Sequence, residues 1–206
     1  LLEHLILLCK KHGVDEVFLN LFSLSDVIIN YFKERDLGIR VNWVKMQNLI
    51  NAAEALFFFR DKLQEDFFVL YGDVASNLNL SAVMKSHKEN KALATLVVHP
   101  SSHPEDSDLL EIRKNNRILK FHKKPHEDLD YQKTYFGNAG TIVFSPEIFR
   151  YIEKGQDPND SISHSLLAKI IFKNKKVFGY VTNDYMKDIG TPERYRTVNK
   201  EFVFKL

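Results

Sequence analysis

Two aspartates and a lysine have the residue types and settings that phosphate chemistry requires. Asp73 follows Gly72 directly after residues 67–71, a run of five apolar or aromatic residues, while Lys124 stands in FHKKP and Asp188 in KDIGTP. The apolar run is too short for a helix and predicts a strand that is buried on both faces. Ligands of open α/β sheets bind at the carboxyl ends of strands, so a carboxylate there favours a metal site. The alternative is an aspartate that caps the following turn.

Helices and strands must position these side chains, and in the first half of the sequence they alternate. Apolar residues recur with helical spacing from the start of the chain, and short apolar runs separate the helical stretches. The predicted helices cover residues 1–12, 25–35, 51–63 and 79–90, and the predicted strands cover residues 15–21, 39–45, 67–71 and 92–99. This order predicts an α/β fold with a Rossmann-like, mostly parallel sheet flanked by helices.

The second half of the sequence is richer in strands. Apolar runs over residues 109–113 and 117–122 predict a hairpin, and a longer strand over residues 135–144 contains Gly137 and Gly140. Glycines inside a strand mark a bulge or a close approach of the backbone to a ligand. Two further helices are expected to begin at the side-chain caps Asp160 and Thr191.

Composition excludes several classes of protein. Charged residues make up 27% and apolar residues 44% of the chain, and the net charge of +2 gives no basis for nucleic-acid binding. No apolar run approaches the roughly 18 residues of a membrane span, so no membrane partner is expected. Cys9, the single cysteine, excludes an internal disulfide and fits a cytoplasmic location, and its position on an apolar helix face indicates packing.

Four short motifs, taken together and in this order, resemble the sugar-1-phosphate nucleotidyltransferases. They are Gly72-Asp73, FHKKP with Lys124, FGNAGTIVF with Asn138 and Gly140, and KDIGTP with Lys187 and Asp188. Residues 93–112 are similar to the heptose-1-phosphate and mannose-1-phosphate guanylyltransferase branch in particular. The resemblance covers essentially all of the chain. It implies one domain over residues 1–206 of the nucleotide-diphospho-sugar transferase type, with a nucleotide-binding half (1–98) and a β-rich sugar-phosphate-binding half (99–206).

The resemblance implies an enzyme that joins a nucleoside triphosphate, GTP in this branch, to a heptose or mannose 1-phosphate and releases pyrophosphate. Such a reaction brings two polyanions together, so it needs charge neutralisation and positioning more than a protein nucleophile. By the same resemblance, Asp73 and Asp188 would share a Mg²⁺ ion, and Lys124 would complete the catalytic set at the sugar phosphate. The other implied site residues are Gly72 for the cofactor, Asn138, the backbone of Gly140 and Glu111 for the sugar, and Lys187 for a phosphate.

Each of these residues also has a structural alternative. Lys124 can be a solvated lysine, Asn138 a bulge residue, and Asp188 part of the turn before the last helix. Taken singly, the structural alternative is favoured for Glu111 and Lys187. The joint pattern favours function for Lys124 and for both aspartates.

A cluster of histidines is a second candidate site. His99, His103, His122 and His126 lie in two segments with Asp106 and Asp108 nearby. Zinc accepts such ligands, yet their spacing matches no recognised zinc motif. A solvated rim or contacts to the sugar phosphate are therefore favoured over a zinc site.

Two departures from the family's pattern concern the nucleotide. The family opens with a strand and a glycine-rich GGxGTRL loop followed by a PKP segment, and this sequence contains no such loop. That strand is central in the family, so residues 15–21 and 67–71 are expected to lack their shared partner. Residues 49–53 read LINAA where the family has a segment like LGTAG, which places side chains where glycine permits close approach to the base.

Two accounts of these departures stay open. The first is most of a nucleotidyltransferase whose opening strand and loop are missing from this sequence, which the start at Leu1 favours. The second is a degenerate paralogue that binds sugar phosphate or regulates a partner subunit, which LINAA favours. A structural module is a third class, and it leaves the aspartates and Lys124 unexplained. The 206 residues alone are expected to be nearly inactive, and a homo-oligomer is left open.

Overall fold

A computed structural model describes residues 1–101, 104–126, 129–130 and 132–202 of the chain. The α-helices are α1 (Leu2–Lys11), α2 (Ser25–Lys33), α3 (Ala52–Ala55), α4 (Leu80–Asn90), α5 (Ala168–Phe172) and α6 (Pro192–Glu201). Short 3-10 helices cover Leu56–Phe59, Pro104–Asp106 and Pro146–Arg150, and a π-helical turn, Ser163–Leu167, leads into α5. The strands are β1 (Glu16–Leu21), β2 (Arg40–Lys45), β3 (Phe67–Leu70), β4 (Val74–Ser76), β5 (Ala94–Pro100), β6 (Leu109–Ile112), β7 (Ile118–His122), β8 (Phe136–Phe144), β9 (Val177–Val181) and β10 (Met186–Asp188).

Strand β8 lies inside the main sheet and pairs along both of its edges. β5 pairs with one edge, while β3 and β6 share the other, and the path through the sheet is β7-β6-β8-β5-β9. β8 is antiparallel to β3, β5 and β6, and β9 is parallel to β5, so β3, β5, β6 and β9 all run in the same direction. The predicted α/β class, with a central sheet flanked by helices, is confirmed. The insertion of the reversed strand β8 between β3 and β5 is a feature that the sequence pattern did not predict.

Alternate residues of β5 and β8 pack on opposite faces of this sheet. Leu96 and Ile142 belong to one apolar cluster with residues of α5, and Val97 and Val143 belong to a second with residues of α1 and α4. All four strand residues are completely buried. A strand with two buried faces requires a helical layer on each side, which explains why β5 and β8 carry apolar residues on both faces.

Strands β1 and β2 form a separate two-stranded parallel sheet. In the described part of the chain, β1 pairs with β2 alone and β3 with β8 alone, so each leaves one edge without a strand partner. Both strands line a cavity of about 1300 Å³, to which Leu5 of α1, Met84 of α4 and Phe59 also contribute. In the described residues, no strand therefore pairs with both β1 and β3.

Several details of the elements differ from or extend the predictions. The helix predicted over residues 51–63 is a single α-helical turn followed by the 3-10 helix Leu56–Phe59. Cys9 is buried as expected, and burial raises the pKa of its thiol to about 11. Within the described residues, no helix is both long and apolar enough to cross a membrane. The proposed boundary between residues 98 and 99 stays a prediction, and β5 runs across it.

Asp160 does not cap a helix, which corrects the prediction made for it. Its carboxylate lies 2.8 Å from Nδ1 of His164, and the hydroxyl of Ser161 instead accepts a hydrogen bond from the His164 backbone amide. The imidazole of His164, four residues later, competes with the backbone amides for the Asp160 carboxylate, because residues i and i+4 lie on the same face of a helix. Thr191 is confirmed as the cap of α6, since its hydroxyl accepts from the amide of Arg194.

Gly140 occupies a bulge of β8 and has a φ of +80°. The register of β8 against β5 shifts between Leu96 and Val98, which places the extra residues of β8 at this point. A Cβ atom on Gly140 would lie 2.8 Å from Cγ2 of Val74 and 3.3 Å from the Tyr71 side chain. Glycine here therefore lets the end of β3 and the start of β4 pack directly against β8.

Replacement of this glycine tests the bulge. Gly140→Ala is expected to lower the free energy of unfolding by about 2–4 kcal/mol, because it adds left-handed strain and two close contacts. Urea denaturation followed by circular dichroism measures the loss. Gly13→Ala is the matched control, since Gly13 has a φ of +78° but a Cβ atom added to it would meet no atom within 4 Å. Equal losses in the two variants would show that the contacts with Val74 and Tyr71 do not constrain the bulge.

Candidate functional site

The two candidate metal ligands, Asp73 and Asp188, are brought together by a short antiparallel ladder. Asp73 directly precedes β4, and Asp188 is the last residue of β10, where it pairs with Val74. The amide of Ile189 donates a hydrogen bond of 2.8 Å to the carbonyl oxygen of Asp73. The two aspartates therefore occupy neighbouring positions on paired strands, at the carboxyl end of β3.

The carboxylate of Asp188 already has a cationic partner. Nη1 of Arg194 donates to its Oδ1 at 2.6 Å, and the amide of Gly190 donates to the same oxygen at 3.2 Å. Helix α6 begins at Pro192, so its first turn places Arg194 over the carboxylate. The Asp188 side chain is 41% exposed, and Asp73 is exposed as well, so both carboxylates are accessible from solvent.

The turn between β3 and β4 leaves room beside Asp73. A Cβ atom added to Gly72 would meet no atom within 4 Å, so the backbone of this residue borders open space. Before it, Tyr71 is fixed by a hydrogen bond of its amide to the carbonyl oxygen of Gly140. Burial raises the pKa of the Tyr71 phenol, and hydrogen bonds with Ser163 and Asn138 oppose that shift.

Asn138 is held in place by contacts on both sides of its amide group. Its Oδ1 accepts a hydrogen bond of 3.1 Å from the amide of Gly140, and its Nδ2 donates to Oγ of Ser163 at 3.3 Å. Gly140 itself is buried, and the structure gives it the packing role described above. Contacts of Asn138 and Gly140 with a sugar stay predictions.

Lys124 lies just after β7 and is attached to the start of β6. Its amide donates a hydrogen bond of 3.1 Å to Oδ1 of Asp108, the residue before β6. The antiparallel pairing of Leu109 with His122 brings these two segments together. A similar contact follows, since Nε2 of His126 lies 2.8 Å from the carbonyl oxygen of Ser107.

Glu111 and Lys187, the two weaker candidates, both have partners within the protein. Glu111 lies 3.8 Å from Nζ of Lys133 and 3.6 Å from Nε2 of His122. Burial lowers the pKa of His122, so its ring is neutral at pH 7 and attracts Glu111 weakly. Lys187 lies 3.4 Å from the carboxylate of Glu201 in α6. Their roles toward a substrate stay predictions.

The histidine cluster is only partly covered by the structure. The rings of His122 and His126 pack edge to face with centroids 6.4 Å apart. Residue 103 and the side chain of residue 106 lie outside the described residues. Among the residues that the structure describes, no group of three or more histidine, cysteine or acidic side chains has an arrangement that could hold a metal ion.

Asn51, in the LINAA segment, connects the two halves of the chain. Its Oδ1 accepts from the amide of Ala53 at 2.9 Å and from the Ser165 hydroxyl at 3.1 Å. Its Nδ2 donates to the carbonyl oxygens of Asp157 at 3.1 Å and Asp160 at 3.0 Å. The side chain is almost completely buried, so every polar atom is satisfied inside the protein. The asparagine therefore has a structural function at the position where the resemblance expects a glycine-threonine pair.

Sequence reasoning missed three side chains that shape this site: Arg194, Ser163 and His164. Arg194 stands six residues after Asp188, and an arginine in the first turn of the last helix could have been considered as its counterion. Ser163 and His164 gave no such signal, because Asn138 and Asp108, the residues through which they contact the site, lie far away in the sequence. The structure thus links the end of β3, the bulge of β8 and the loop after β7 through one π-helical turn.

The family is shown by a family model. The model described as nucleotidyl transferase matches residues 1–203, so the chain belongs to this family. The resemblance drawn from the four motifs is thereby confirmed.

Three curated relatives indicate which members of the family the chain is similar to. It is 26% identical to D-glycero-alpha-D-manno-heptose 1-phosphate guanylyltransferase from Aneurinibacillus thermoaerophilus, over 97% of this chain and 84% of the relative. It is 29% identical to mannose-1-phosphate guanylyltransferase 1 from Arabidopsis thaliana, over 94% of this chain and 54% of the relative. It is 25% identical to UTP–glucose-1-phosphate uridylyltransferase from a Synechocystis strain, over 94% of this chain and 53% of the relative. The chain spans about half the length of the latter two relatives.

A solved structure supports the fold. The crystal structure of HddC from Yersinia pseudotuberculosis superimposes with a TM-score of 0.78 at 20% sequence identity, covering 98% of this chain and 85% of that protein. At this identity the likeness shows the nucleotide-diphospho-sugar transferase fold and no more.

The pair between Arg194 and Asp188 makes a prediction about cation binding. Arg194→Ala is expected to strengthen Mn²⁺ binding about fivefold, because the guanidinium occupies Oδ1 of Asp188 and repels a second cation there. The free energy of unfolding should change little, since the pair is exposed. Electron paramagnetic resonance of free Mn²⁺ measures the affinity. Arg40→Ala, which removes a surface arginine paired with Glu16, is the control. Weaker Mn²⁺ binding in Arg194→Ala would instead identify the arginine as a residue that orients Asp188.

Proposed function

We propose that the protein transfers a nucleotidyl group from a nucleoside triphosphate, GTP, to a heptose or mannose 1-phosphate. The observation that supports this proposal most directly is that the β4–β10 ladder brings Asp73 and Asp188 together at the carboxyl end of β3. A phosphate oxygen of the sugar 1-phosphate attacks the α-phosphorus of the triphosphate, and the bond from that phosphorus to the bridging oxygen breaks, which releases pyrophosphate. The products are a nucleoside-diphosphate sugar and pyrophosphate.

The proposed roles of the side chains follow from their chemistry. Lys124 carries a compact cation on a long stem, which suits contact with the phosphate of the sugar 1-phosphate. Asn138 and Gly140 of β8 and Glu111 of β6 would face the sugar, and Lys187 lies on β10 beside Asp188. None of these groups forms a covalent intermediate, because in-line transfer needs the two phosphates to be aligned and their charges balanced.

We propose Mg²⁺ as the cofactor of this site. The two accessible carboxylates offer hard oxygen donors, and Mg²⁺ is typically held by one or two carboxylates with phosphates and water. When bound, the ion supplies positive charge to the phosphates. Asp73 and Asp188 would hold it, and Arg194 would then move away from Asp188 or share the carboxylate.

Specificity for GTP and for a heptose or mannose 1-phosphate is proposed on similarity. The relatives from Aneurinibacillus thermoaerophilus and Arabidopsis thaliana are named as guanylyltransferases for these two sugar phosphates. The Synechocystis relative, at comparable identity, is named as a uridylyltransferase of glucose 1-phosphate. UTP and glucose 1-phosphate are therefore the competing substrates against which the proposal must be tested. A cytoplasmic location, where both substrates would be available, remains part of the proposal.

The cavity between β1 and β3 is the place where we expect the segment that binds the triphosphate. By the family resemblance, a strand that ends in a glycine-rich loop occupies the position between these two edges. We propose that such a strand fills the cavity in the active protein and that its loop supplies the backbone amides for the triphosphate. The unpaired edges of β1 and β3 and the apolar side chains from α1, α4 and the 3-10 helix Leu56–Phe59 support this proposal.

Asn51 supports a second candidate function, a regulatory or sugar-phosphate-binding subunit without catalysis. The four contacts of its side chain lie within the protein, in the segment that surrounds the base in the family by resemblance. By the same resemblance, Ile50 and Ala53 stand where the family has glycine, and their side chains take up space that glycine leaves open. The two functions differ in turnover, which the following assay measures.

The assay uses the full-length product of the gene with GTP or UTP, Mg²⁺, and mannose, heptose or glucose 1-phosphate. Pyrophosphate release is expected with GTP and mannose or heptose 1-phosphate. Asp73→Asn and Asp188→Asn should each lower kcat at least about 100-fold, since each removes charge that stabilises the transition state. Asp26→Asn, at a surface pair with Lys45, is the control for loss of one carboxylate.

Other results of this assay discriminate between the alternatives. Lys124→Ala should raise KM for the sugar 1-phosphate with little change in KM for the nucleotide, and unchanged kinetics would remove its assigned role. Turnover with UTP and glucose 1-phosphate alone would replace the guanylyl proposal. If the protein binds a sugar 1-phosphate but shows no turnover with either GTP or UTP, the regulatory alternative would be established.

A further inference from the structure

His164 lies between two carboxylates that contact opposite sides of its ring. Nε2 is 2.6 Å from Oδ2 of Asp108, and Nδ1 is 2.8 Å from Oδ1 of Asp160. The ring packs edge to face against Phe121, and its side chain is only 20% exposed. Ionised carboxylates only accept hydrogen bonds, so both ring nitrogens must donate. The imidazole that satisfies both contacts is the doubly protonated, positively charged form.

Asp108 connects His164 to the backbone of Lys124. One of its oxygens faces His164, and the other accepts the hydrogen bond from the backbone amide of Lys124. Both oxygens of one carboxylate are thus engaged, which fixes the orientation of the group. The segment that follows β7 is therefore anchored to the π-helical turn through the Asp108 side chain.

Asp160 is fixed from the other side. Its backbone carbonyl accepts a hydrogen bond from Nδ2 of Asn51, whose side chain is almost completely buried. Asn51 also accepts from Ser165, one residue after His164. A continuous series of hydrogen bonds therefore runs from Asn51 in the first half of the chain to Lys124 in the second, and His164 is the only link between its two carboxylates in the described part of the molecule.

The arrangement serves positioning and not metal binding. Asp108 and Asp160 lie on different nitrogens of the same ring, so one ion cannot take oxygen from both and nitrogen from His164 at once. Each carboxylate is already paired with a cation in a partly buried setting, where charged hydrogen bonds are strong. The series ends at Lys124, which is the group proposed to contact the sugar phosphate.

We propose that His164, as an imidazolium between Asp108 and Asp160, is a positioning residue that holds Lys124 for the phosphate of the sugar 1-phosphate. This inference rests on the proposed function for its second step, the effect on the ligand. Its first step, the fixing of the Lys124 backbone, is a property of the protein alone. The two steps are measured separately.

The first measurement is hydrogen exchange of the Lys124 amide by NMR in the unliganded chain. In His164→Gln, the Asp108 carboxylate loses its cationic partner, and the Lys124 amide should exchange faster than in the wild type. His12→Gln is the matched control, since this histidine hydrogen bonds with Ser81 between α1 and α4. Exchange that is unchanged in His164→Gln overturns the proposal, whatever the protein does with sugar phosphates.

The second measurement is the Kd of mannose 1-phosphate by isothermal titration calorimetry. His164→Gln should raise this Kd about tenfold, which corresponds to about 1.4 kcal/mol and lies close to the smallest contribution of a hydrogen bond to a charged group. Asp108→Asn should give a similar loss. The side chain of asparagine has one accepting oxygen and one donating nitrogen, so it cannot accept hydrogen bonds from both Lys124 and His164 as the two carboxylate oxygens do. Addition of imidazole to His164→Gly should restore the affinity and the slow exchange together. This restoration separates positioning from a general loss of stability, which imidazole would not repair.

The outcomes distinguish the two proposals. If the Lys124 amide is released in His164→Gln while the affinity stays at the wild-type value, the positioning of Lys124 has no bearing on the sugar phosphate, and the inference is wrong. If the full-length wild-type protein binds none of mannose, heptose and glucose 1-phosphate, the proposed function fails. The anchoring of Lys124 is then accepted or rejected on hydrogen exchange alone, and its link to the sugar phosphate falls with the function.

Discussion

The hydrogen bonding of β8 along both edges is the constraint on which the rest of the structure depends. Because β8 pairs with β5 on one edge and with β3 and β6 on the other, it joins strands from both halves of the chain into one sheet. It also carries the bulge at Gly140, whose carbonyl oxygen accepts from the Tyr71 amide. Without that bulge the backbone could not place Asn138 beside the carboxyl end of β3. The position of Asp73 thus depends on the pairing of β8, a strand that comes more than 60 residues later in the sequence.

Charge compensation is the second organising feature of the site. Asp188 faces Arg194, Asp108 and Asp160 face His164, and Glu111 lies near Lys133. Isolated carboxylates at this density would repel one another and resist desolvation, so each is matched with a cation on a neighbouring element. These pairs hold the loops around the sheet in place before any substrate arrives.

The sequence predicted those parts of the molecule that follow from local patterns. The apolar run of residues 67–71, the alternation of helices and strands, and the cap at Thr191 are local signals, and the structure contains all of them. The partnership of Asp73 and Asp188 depended on the family motif, because β4 and β10 have three residues each and show no pattern of their own.

The features that the sequence did not predict depend on contacts between distant segments. His164 and Asp108 are 56 residues apart, and nothing in either segment indicates the other. Aspartate is common at helix caps, so the sequence predicts a cap at Asp160, but the histidine four residues later binds its carboxylate instead. The sequence also predicts that LINAA places side chains where the family's glycines permit close approach to the base, but it does not indicate that the Asn51 amide group binds the carbonyl oxygens of residues 157 and 160.

The two sides of the proposed site differ in how they are completed. On the sugar-phosphate side, Asn138 and Lys124 are held by hydrogen bonds to Ser163 and Asp108, both within the described chain. On the proposed triphosphate side, β1 and β3 each have one edge without a strand partner in the described chain, and both strands line a cavity of about 1300 Å³. Backbone groups that face such a cavity need hydrogen-bond partners, and a strand satisfies two edges at once. Under the proposed function, sugar-phosphate binding and triphosphate binding would therefore be separable, since only the second depends on what occupies the space between β1 and β3.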